Sequence, residues 1–332
     1  MLKNLLTDIA GVRVGHADDR ALASGVTDVI FDTPAVAAID IRGGGPGIRE
    51  GAVLDLENTV EQIHGIALAG GSAFGLEAGG GVQAWLAEQG RGLRIREAVI
   101  PIVPGAICFD LLNGGNKAWG RYPPYRDLGY AAACAANGDF ALGSVGAGLG
   151  ATTANFKGGL GSASAQTEGG VTVGALAVVN AVGSATVGDG PWFWAAPFET
   201  ANEFGGRGLP SAFTADMLRA RLKGGPAAAF SENTTLVVVA TDAVLTKPQA
   251  KRLAMIAHTG MARAIYPVHA PTDGDVVFAA ATGKKPVDPQ FGLTELGMVA
   301  ANTVARAIAR GVHSAVALPF LGALPAWGDR FG

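Results

Sequence analysis

The chain has 332 residues, with 25 Lys and Arg against 28 Asp and Glu, and this formal charge of −3 offers no basic footprint for nucleic acid. Hydrophobic residues make up 49% and charged ones only 16%, below the roughly 25% charged of an average domain, which excludes intrinsic disorder and requires a large buried core. Two cysteines, Cys108 and Cys134, are too few for a disulfide framework, lack metal-ligand spacing and fit a reducing compartment.

At the N-terminus, MLKNLLTDIAGVRVGHADD carries an apolar patch broken by Asn4, Thr7 and Asp8, short of a secretory h-region. No window reaches the roughly 18 uninterrupted apolar residues of a membrane span, so the expectation is a cytoplasmic protein without a membrane partner. Short apolar runs bounded by Gly, Pro or Asp predict strands at 26–31, 35–41, 66–69, 99–103, 171–179 and 236–240. A helical pattern covers 73–89. A second helix fits 248–264, with Leu253, Ile256 and Ala257 on one side and Thr246 as its cap. Near the C-terminus, Leu296, Val299, Ala300, Thr303, Val304, Ala307 and Ile308 follow helical spacing, with Gly311 as the stop. The alternation of strands and helices predicts a layered α/β chain. Residues 189–233, rich in Trp, Pro and Gly, read as a surface-exposed connection. The β-branched run from Thr234 to Thr241 follows directly and is among the strongest strand signals in the chain.

Four kinds of chemistry compete for the site. A serine-hydrolase elbow at Gly70-Gly71-Ser72-Ala73-Phe74 fails because Phe74 stands where the second glycine is needed, which leaves a tight turn with Ser72 capping a helix. Phosphate binding at Gly43-Gly44-Gly45-Pro46-Gly47 or at 146–151 lacks the Lys-Ser/Thr ending of a P-loop, and in a chain with 50 glycines such clusters favour structural turns. His16, His64, His258, His269 and His313 show no metal-pair spacing, so no metal is expected and each reads as a hydrogen-bonded structural residue. The fourth possibility is cleavage before Thr234. A residue made N-terminal carries its own base in the α-amine, whose pKa is roughly 7.7–8.0, and a loop ending at Asn233 before a rigid strand suits that chemistry. On context alone, an ordinary threonine at a strand start is the simpler reading.

The stretch Glu232-Asn233-Thr234-Thr235 with its following LVVVATDAVLTKPQAKRLAMIAHTGMARAIYPVHAPTDGDVVFAAATG, and the upstream IDIRGGGPGIREG and ALAGGSAFGLEAGGGV, resemble the DmpA-like (P1-type) self-processing aminopeptidase family. Within that family the sequence is most similar to the nylon oligomer (6-aminohexanoate oligomer) hydrolases, over nearly the whole chain. The resemblance implies an αββα sandwich, self-cleavage between Asn233 and Thr234, and a large subunit 1–233 that stays with a small subunit 234–332 as one structural domain. It implies Thr234 as nucleophile, Asn180 and Lys157 near the reacting carbonyl, and Asp273 and Asp275 beside the nucleophile. On an extended strand those two carboxylates would share a face. Phe109 stands where relatives can carry a tyrosine, so a phenol contact is not expected here.

The expected activity is therefore hydrolysis of linear amides without a cofactor, by a homo-oligomer of processed pairs. An aminopeptidase on short peptides or β-amino acid amides, a threonine-nucleophile acyltransferase and an unprocessed binding protein remain the alternatives.

Overall fold

The computed structural model describes residues 2–224, 233–288 and 290–332. Its strands and helices follow the chain as β1 (Val12–Asp19), β2 (Ser24–Ile41), β3 (Ile48–Arg49), β4 (Gln62–Ala69) and α1 (Ala78–Glu88). A hairpin of β5 (Leu93–Ile95) and β6 (Ala98–Ile100), then β7 (Gly105–Ile107), α2 (Tyr125–Cys134), β8 (Gly159–Gln166) and β9 (Thr172–Asn180) come next. The C-terminal part holds β10 (Thr234–Ala243), α3 (Lys247–Ala264), β11 (Val276–Lys285), α4 (Phe291–His313) and a short α5 (Trp327–Phe331). One mixed nine-stranded sheet runs β3-β7-β4-β2-β11-β10-β9-β8, with β1 paired to the first half of β2. The long β2 serves both halves, bonding β1 and β4 through its first half and β11 through its second.

Three apolar clusters define the layers. Val12, Phe31 and Leu68 from the β1-β2-β4 half meet Leu176, Val178, Leu236, Val238 and Phe278 from the β8–β11 half in an inner core. The outer face of the second half, with Val237 and Val239, packs on Leu253 and Ala257 of α3 and on Val304 and Ile308 of α4. The outer face of the first half, with Val26 and Ile30, packs on Val82 and Leu86 of α1 and Ala132 of α2. Helices, sheet, sheet and helices thus form the αββα sandwich implied by the resemblance. Residues along β10 alternate between the inner core and the α3-α4 side, as a strand buried on both faces must.

The helix from 247 starts as its sequence dictates: the Thr246 side chain accepts from the Gln249 N–H, the Gln249 side chain returns the bond, and Pro248 sits in the first turn. Other expectations need correction. Runs 26–31 and 35–41 are one strand, and the run at 99–103 yields only the β5-β6 hairpin outside the main sheet. Gly311 does not stop α4, which continues to His313. Its lack of a side chain instead lets the helix backbone lie against Gly159 and Gly161 of β8, where an added Cβ would strike main chain. Ser72 does not cap a helix: Gly71, at φ +81°, is the cap of a 3-10 turn over Ser72–Glu77 and makes no side-chain capping bond. The 189–233 connection is not merely exposed, because Phe193, Ala195 and Phe204 are buried against the α3-α4 core. Its stretch 225–232 lies outside the described residues.

One core position works against stability. Asp28 on β2 lies between Val26 and Ile30, fully buried, and neither carboxyl oxygen has a hydrogen-bond partner among the described residues. Burial raises its pKa well above the usual carboxylate range. A carboxyl whose folded pKa is raised stabilises least above that pKa, so its contribution worsens as pH climbs from the unfolded value near 4. An unsatisfied buried polar group costs about 1–3 kcal/mol and each kcal/mol moves Tm by about 2–4 °C in a chain of this size. Asp28→Val is expected to raise Tm by several degrees at pH 7.5 and by less at pH 4.5, read by scanning calorimetry; a lowered Tm at both values would contradict this account.

Candidate active site

The junction between Asn233 and Thr234 sits at the end of the inner core. Asn233 bridges Asp273 in parallel fashion, and Thr234 opens β10 directly opposite Asn180, the last residue of β9. Opposed residues of an antiparallel pair project to one face, with Cβ atoms roughly 4.5–5.5 Å apart, so Thr234 and Asn180 share the inner face. Both are almost fully buried. The Thr234 hydroxyl donates a short hydrogen bond to the carbonyl oxygen of Asn233, and the Gly274 N–H donates to the same oxygen at 2.9 Å. Only glycine fits at 274, because an added Cβ would stand 2.5 Å from Thr234 Oγ1 and 3.0 Å from the Gly45 carbonyl oxygen.

The glycine run 43–45 has a packing role here, not a phosphate-binding one. Gly43 and Gly44 lie so close to the main chain of Pro271, Asp273 and Asp275 that a side chain would overlap it. The Gly45 N–H bonds the Asp273 carbonyl at 2.7 Å, and Arg42 and Gly43 bond that of Asp275 at 3.0 and 3.2 Å.

Asp273 and Asp275 do not lie on an extended strand. They occupy the turn that precedes β11, and their carboxyl groups go to different partners. Asp275 is saturated: Oδ1 accepts the Thr235 N–H at 2.8 Å, while Oδ2 accepts the His269 N–H at 3.1 Å and lies 2.8 Å from His269 Nδ1. Asp273 is the unsettled member, with Oδ1 buried and lacking a hydrogen-bond partner among the described residues. Burial, and then the neighbouring Asp275 charge, push its pKa up to about 8, against a partial pull from the Ala270 and Val182 amides and Lys223. Two carboxyl groups two residues apart thus differ in environment: Asp275 is tied to backbone, and Asp273 has an unpartnered buried oxygen among the described residues.

Asn180 is fixed by three neighbours. Its Oδ1 accepts the Thr152 N–H and Lys223 Nζ, both at 3.0 Å, and its Nδ2 donates to the Phe109 carbonyl at 2.9 Å. This orientation leaves the second amide hydrogen of Asn180 for another acceptor. Phe109, Thr152 and Lys223 line a cavity of about 500 Å³, walled by Leu112, Leu318 and Leu321. Lys157 also lines it, but its ammonium is spent on the carbonyls of Gly148, Ala151 and Gly158 at 2.7–3.0 Å. Burial lowers the pKa of Lys157, and that of Lys223, to about 7. Lys157 therefore braces the loop beneath the cavity instead of aiming its amine at the junction.

Of the residues singled out from sequence, the fold brings Asn233, Thr234, Asn180, Asp273 and Asp275 to one place. Three contacting residues were given no part in the site from sequence: Gly274, Lys223, and His269, which was read as a hydrogen-bonded structural residue. A lone histidine carries no spacing signal, and Gly274 is visible only as the centre of the Asp-Gly-Asp triplet. Among the described residues no group of three or more His, Cys, Asp or Glu side chains is placed to hold a metal ion, and no helix is long and apolar enough to cross a membrane.

The chain is similar to several known proteins. An uncharacterized aminopeptidase of Mycobacterium tuberculosis H37Rv is 43% identical over 349 residues, covering 99% of this chain and 98% of that one. A 6-aminohexanoate-oligomer endohydrolase of Kocuria sp. is 29% identical, over 84% of this chain and 75% of its own. The L-aminopeptidase D-Ala-esterase/amidase of Ochrobactrum anthropi, described as a variant of the Ntn hydrolase fold, superposes with a TM-score of 0.71 over 97% of this chain and 90% of that one, at 20% identity. The model of peptidase family S58 matches residues 4–322, so this chain belongs to peptidase family S58 and is an amide-bond hydrolase of layered α/β fold.

Proposed function

We propose that the chain is a self-processing amidase whose nucleophile is Thr234, and that it cleaves linear amides, 6-aminohexanoate oligomers among them, at internal bonds. The observation that carries this reading is the pair of donors on the Asn233 carbonyl oxygen, the Thr234 hydroxyl and the Gly274 N–H, at the start of a rigid strand. Negative charge that develops on that oxygen when Thr234 Oγ attacks the Asn233 carbonyl carbon is stabilised by the fixed Gly274 N–H. Asp273 in its carboxylate form takes the hydroxyl proton as the C–O bond forms and passes it to the Thr234 nitrogen as the C–N bond breaks, which leaves an ester and a free α-amine. Water then hydrolyses the ester and leaves Thr234 as the N-terminus of a small subunit, 234–332, seated on a large subunit, 1–233.

In turnover the freed α-amine accepts the Thr234 hydroxyl proton and returns it to the leaving amine. The remaining Asn180 amide hydrogen donates to the substrate oxyanion, while Lys157 contributes charge and a stiff loop at a distance. The cavity beside Asn180 takes the acyl chain. Its leucine wall suits an aliphatic repeat at roughly 0.8 kcal/mol per buried methylene. Its one carboxyl among the described lining residues, Asp110, is already bonded by Ser24 at 2.6 Å and the Gly71 N–H at 2.8 Å. With Lys157 and Lys223 as the other charged lining groups, the cavity offers no evident partner for a substrate ammonium. The 43% identity to a protein named as an aminopeptidase favours the rival reading, exo-cleavage next to a free amine.

Three measurements test this reading. Mass spectrometry of the purified wild-type protein is expected to find a fragment beginning at Thr234, and Thr234→Ala is expected to remain full length and inactive, while Thr234→Ser retains part of each activity; a processed Thr234→Ala would overturn self-cleavage by this hydroxyl.

Because Asp273 is pushed up to about 8, its carboxylate fraction rises with pH, and the processing rate is expected to climb about tenfold per unit from pH 6 toward 8 and then level off. Quantifying the Thr234 fragment over time from pH 5.5 to 9.5 checks this, and a flat profile removes Asp273 from the proton path. For the substrate, N-acetylated and free-amine 6-aminohexanoate oligomers are expected to be cleaved at rates within a few-fold of each other, with internal products visible by chromatography. Strict dependence on the free amine, without internal products, would leave the aminopeptidase.

A further inference from the structure

We infer that His269 is a positioning residue for the Thr234 site, acting through Asp275 on the backbone that presents both the nucleophile and the Gly274 N–H. The inference rests on the reading of Thr234 as the nucleophile and goes beyond it by naming what holds that residue in place.

His269 grips one oxygen of Asp275 twice, through its backbone N–H at 3.1 Å and its ring Nδ1 at 2.8 Å. Both Asp275 oxygens already accept backbone N–H groups, so the ring bond is one in which Nδ1–H donates. The other oxygen receives the N–H of Thr235, the residue directly after the nucleophile. Asp275 also precedes β11 and follows Gly274, whose N–H meets the Asn233 carbonyl. Any rotation of the Asp275 carboxylate therefore shifts the first peptide of β10 and the donor on the scissile carbonyl together.

The ring itself is held. His269 packs edge-on against His258 of α3, with ring centroids 5.0 Å apart at 74°. His258 is buried and donates from Nε2 to the Asp40 carbonyl of β2 at 3.0 Å. Burial keeps His258 neutral, its pKa lowered to about 4, so it forms a fixed uncharged wall beside His269. Contacts thus run from β2 through α3 and the 269 turn to the amide of Thr235.

The backbone at His269 adds a second indication. It adopts φ +58°, a left-handed conformation that is uncommon outside glycine and that asparagine, aspartate and histidine enter more readily than other side chains. A histidine kept in that conformation, with two donors on one carboxylate oxygen, is accounted for by the bond its ring makes. A group that fixes the approach of a nucleophile is worth a large factor in rate, since a misplacement of about 1 Å costs on the order of a hundredfold.

Two substitutions separate this role from a merely structural one, using self-cleavage of the full chain as the readout so that no substrate need be assumed. His269→Gly accepts the backbone conformation but lacks the ring donor, whereas His269→Asn accepts it and places an amide N–H close to the position of Nδ1. We expect His269→Gly to release the Thr234 fragment at least tenfold more slowly than wild type, His269→Asn to stay within about threefold, and both to melt within about 3 °C of wild type. Processing of His269→Gly at the wild-type rate would overturn the inference. So would an equal loss in His269→Asn, or a fall in Tm that tracks the loss of processing in both. A wild-type chain that never yields the Thr234 fragment would instead overturn the underlying reading of Thr234 and with it the role of His269.

Discussion

The bond from the Thr235 N–H to Asp275 Oδ1, 2.8 Å long, decides where β10 begins. Together with the Gly274 N–H on the Asn233 carbonyl and the Asn233–Asp273 bridge, it ties the turn before β11 to the start of β10 and reinforces the register that sets Thr234 opposite Asn180. A strand end that must present a side chain at a defined angle needs more than its ladder, because terminal residues fray and loops carry mobility. The glycine run at 43–45 supports the same turn from behind. Three main-chain N–H groups there, of Arg42, Gly43 and Gly45, bond the carbonyls of Asp273 and Asp275. The site is thus held by backbone contacts between the end of β2 and the turn before β11, and by the side chains of Asp275 and Asn180 bonded to backbone groups.

Charge is distributed so that few groups are left free. Lys157 donates to three carbonyls, and Asp275 accepts two backbone amides and a histidine ring, so both are engaged in holding the fold. Asp273 is the exception, with a buried oxygen that no described residue satisfies and a pKa pushed up by burial. Its position beside the junction makes the exception informative, because strongly perturbed groups with a specific charge partner concentrate where protons move. Asp28 provides the control within the same molecule. It too is buried, with neither oxygen partnered among the described residues, yet its strand neighbours Val26 and Ile30 belong to the α1-α2 core, whereas Thr234 and Asn180 lie on the inner face. Perturbation alone therefore does not mark a site; perturbation together with a neighbouring reactive bond does.

The sequence was most legible where local chemistry and burial agree. The run from Thr234 is rich in β-branched residues and apolar over 236–240, and it forms a strand buried on both faces. The helix from Lys247 carries its own cap, and the spacing along α4 follows the core. It was least legible where glycine replaces the usual signals. The strand β8, Gly-Leu-Gly-Ser-Ala-Ser-Ala-Gln, has little β-propensity and forms because small residues let α4 approach its backbone. The stop assigned to Gly311 failed for the same reason. Periodicity reached only a layered α/β chain, and the four-layer order came with the family resemblance. At the site, the residue types around 233–234 and 273–275 were readable as motifs. The contacts of Lys157 and Gly274 with backbone carbonyls, and of His269 with the Asp275 carboxylate, depend on which atoms the fold brings within about 3 Å, which no local pattern encodes.

The proposed cleavage also accounts for how one pocket can serve two steps. Before cleavage the junction is a neutral peptide, and a carboxyl group buried beside it is most comfortable protonated, which is the direction in which burial pushes Asp273. In this proposal, breaking the bond replaces the amide of Thr234 with an α-amine in the same place, which serves as the base when neutral and carries a positive charge once protonated. An opposite charge within a few ångströms favours the carboxylate, so the shift at Asp273 reverses once the product forms. The carboxyl that is costly to ionise in the precursor becomes the natural partner of the new amine, and holds it close to the hydroxyl it must serve. Meanwhile the oxygen that Gly274 contacts is released with Asn233, which frees that N–H for the next carbonyl to arrive. The cleavage reaction thereby leaves behind the donor, the nucleophile and the base that turnover requires, with β10, Asp275 and the 43–45 turn unchanged around them.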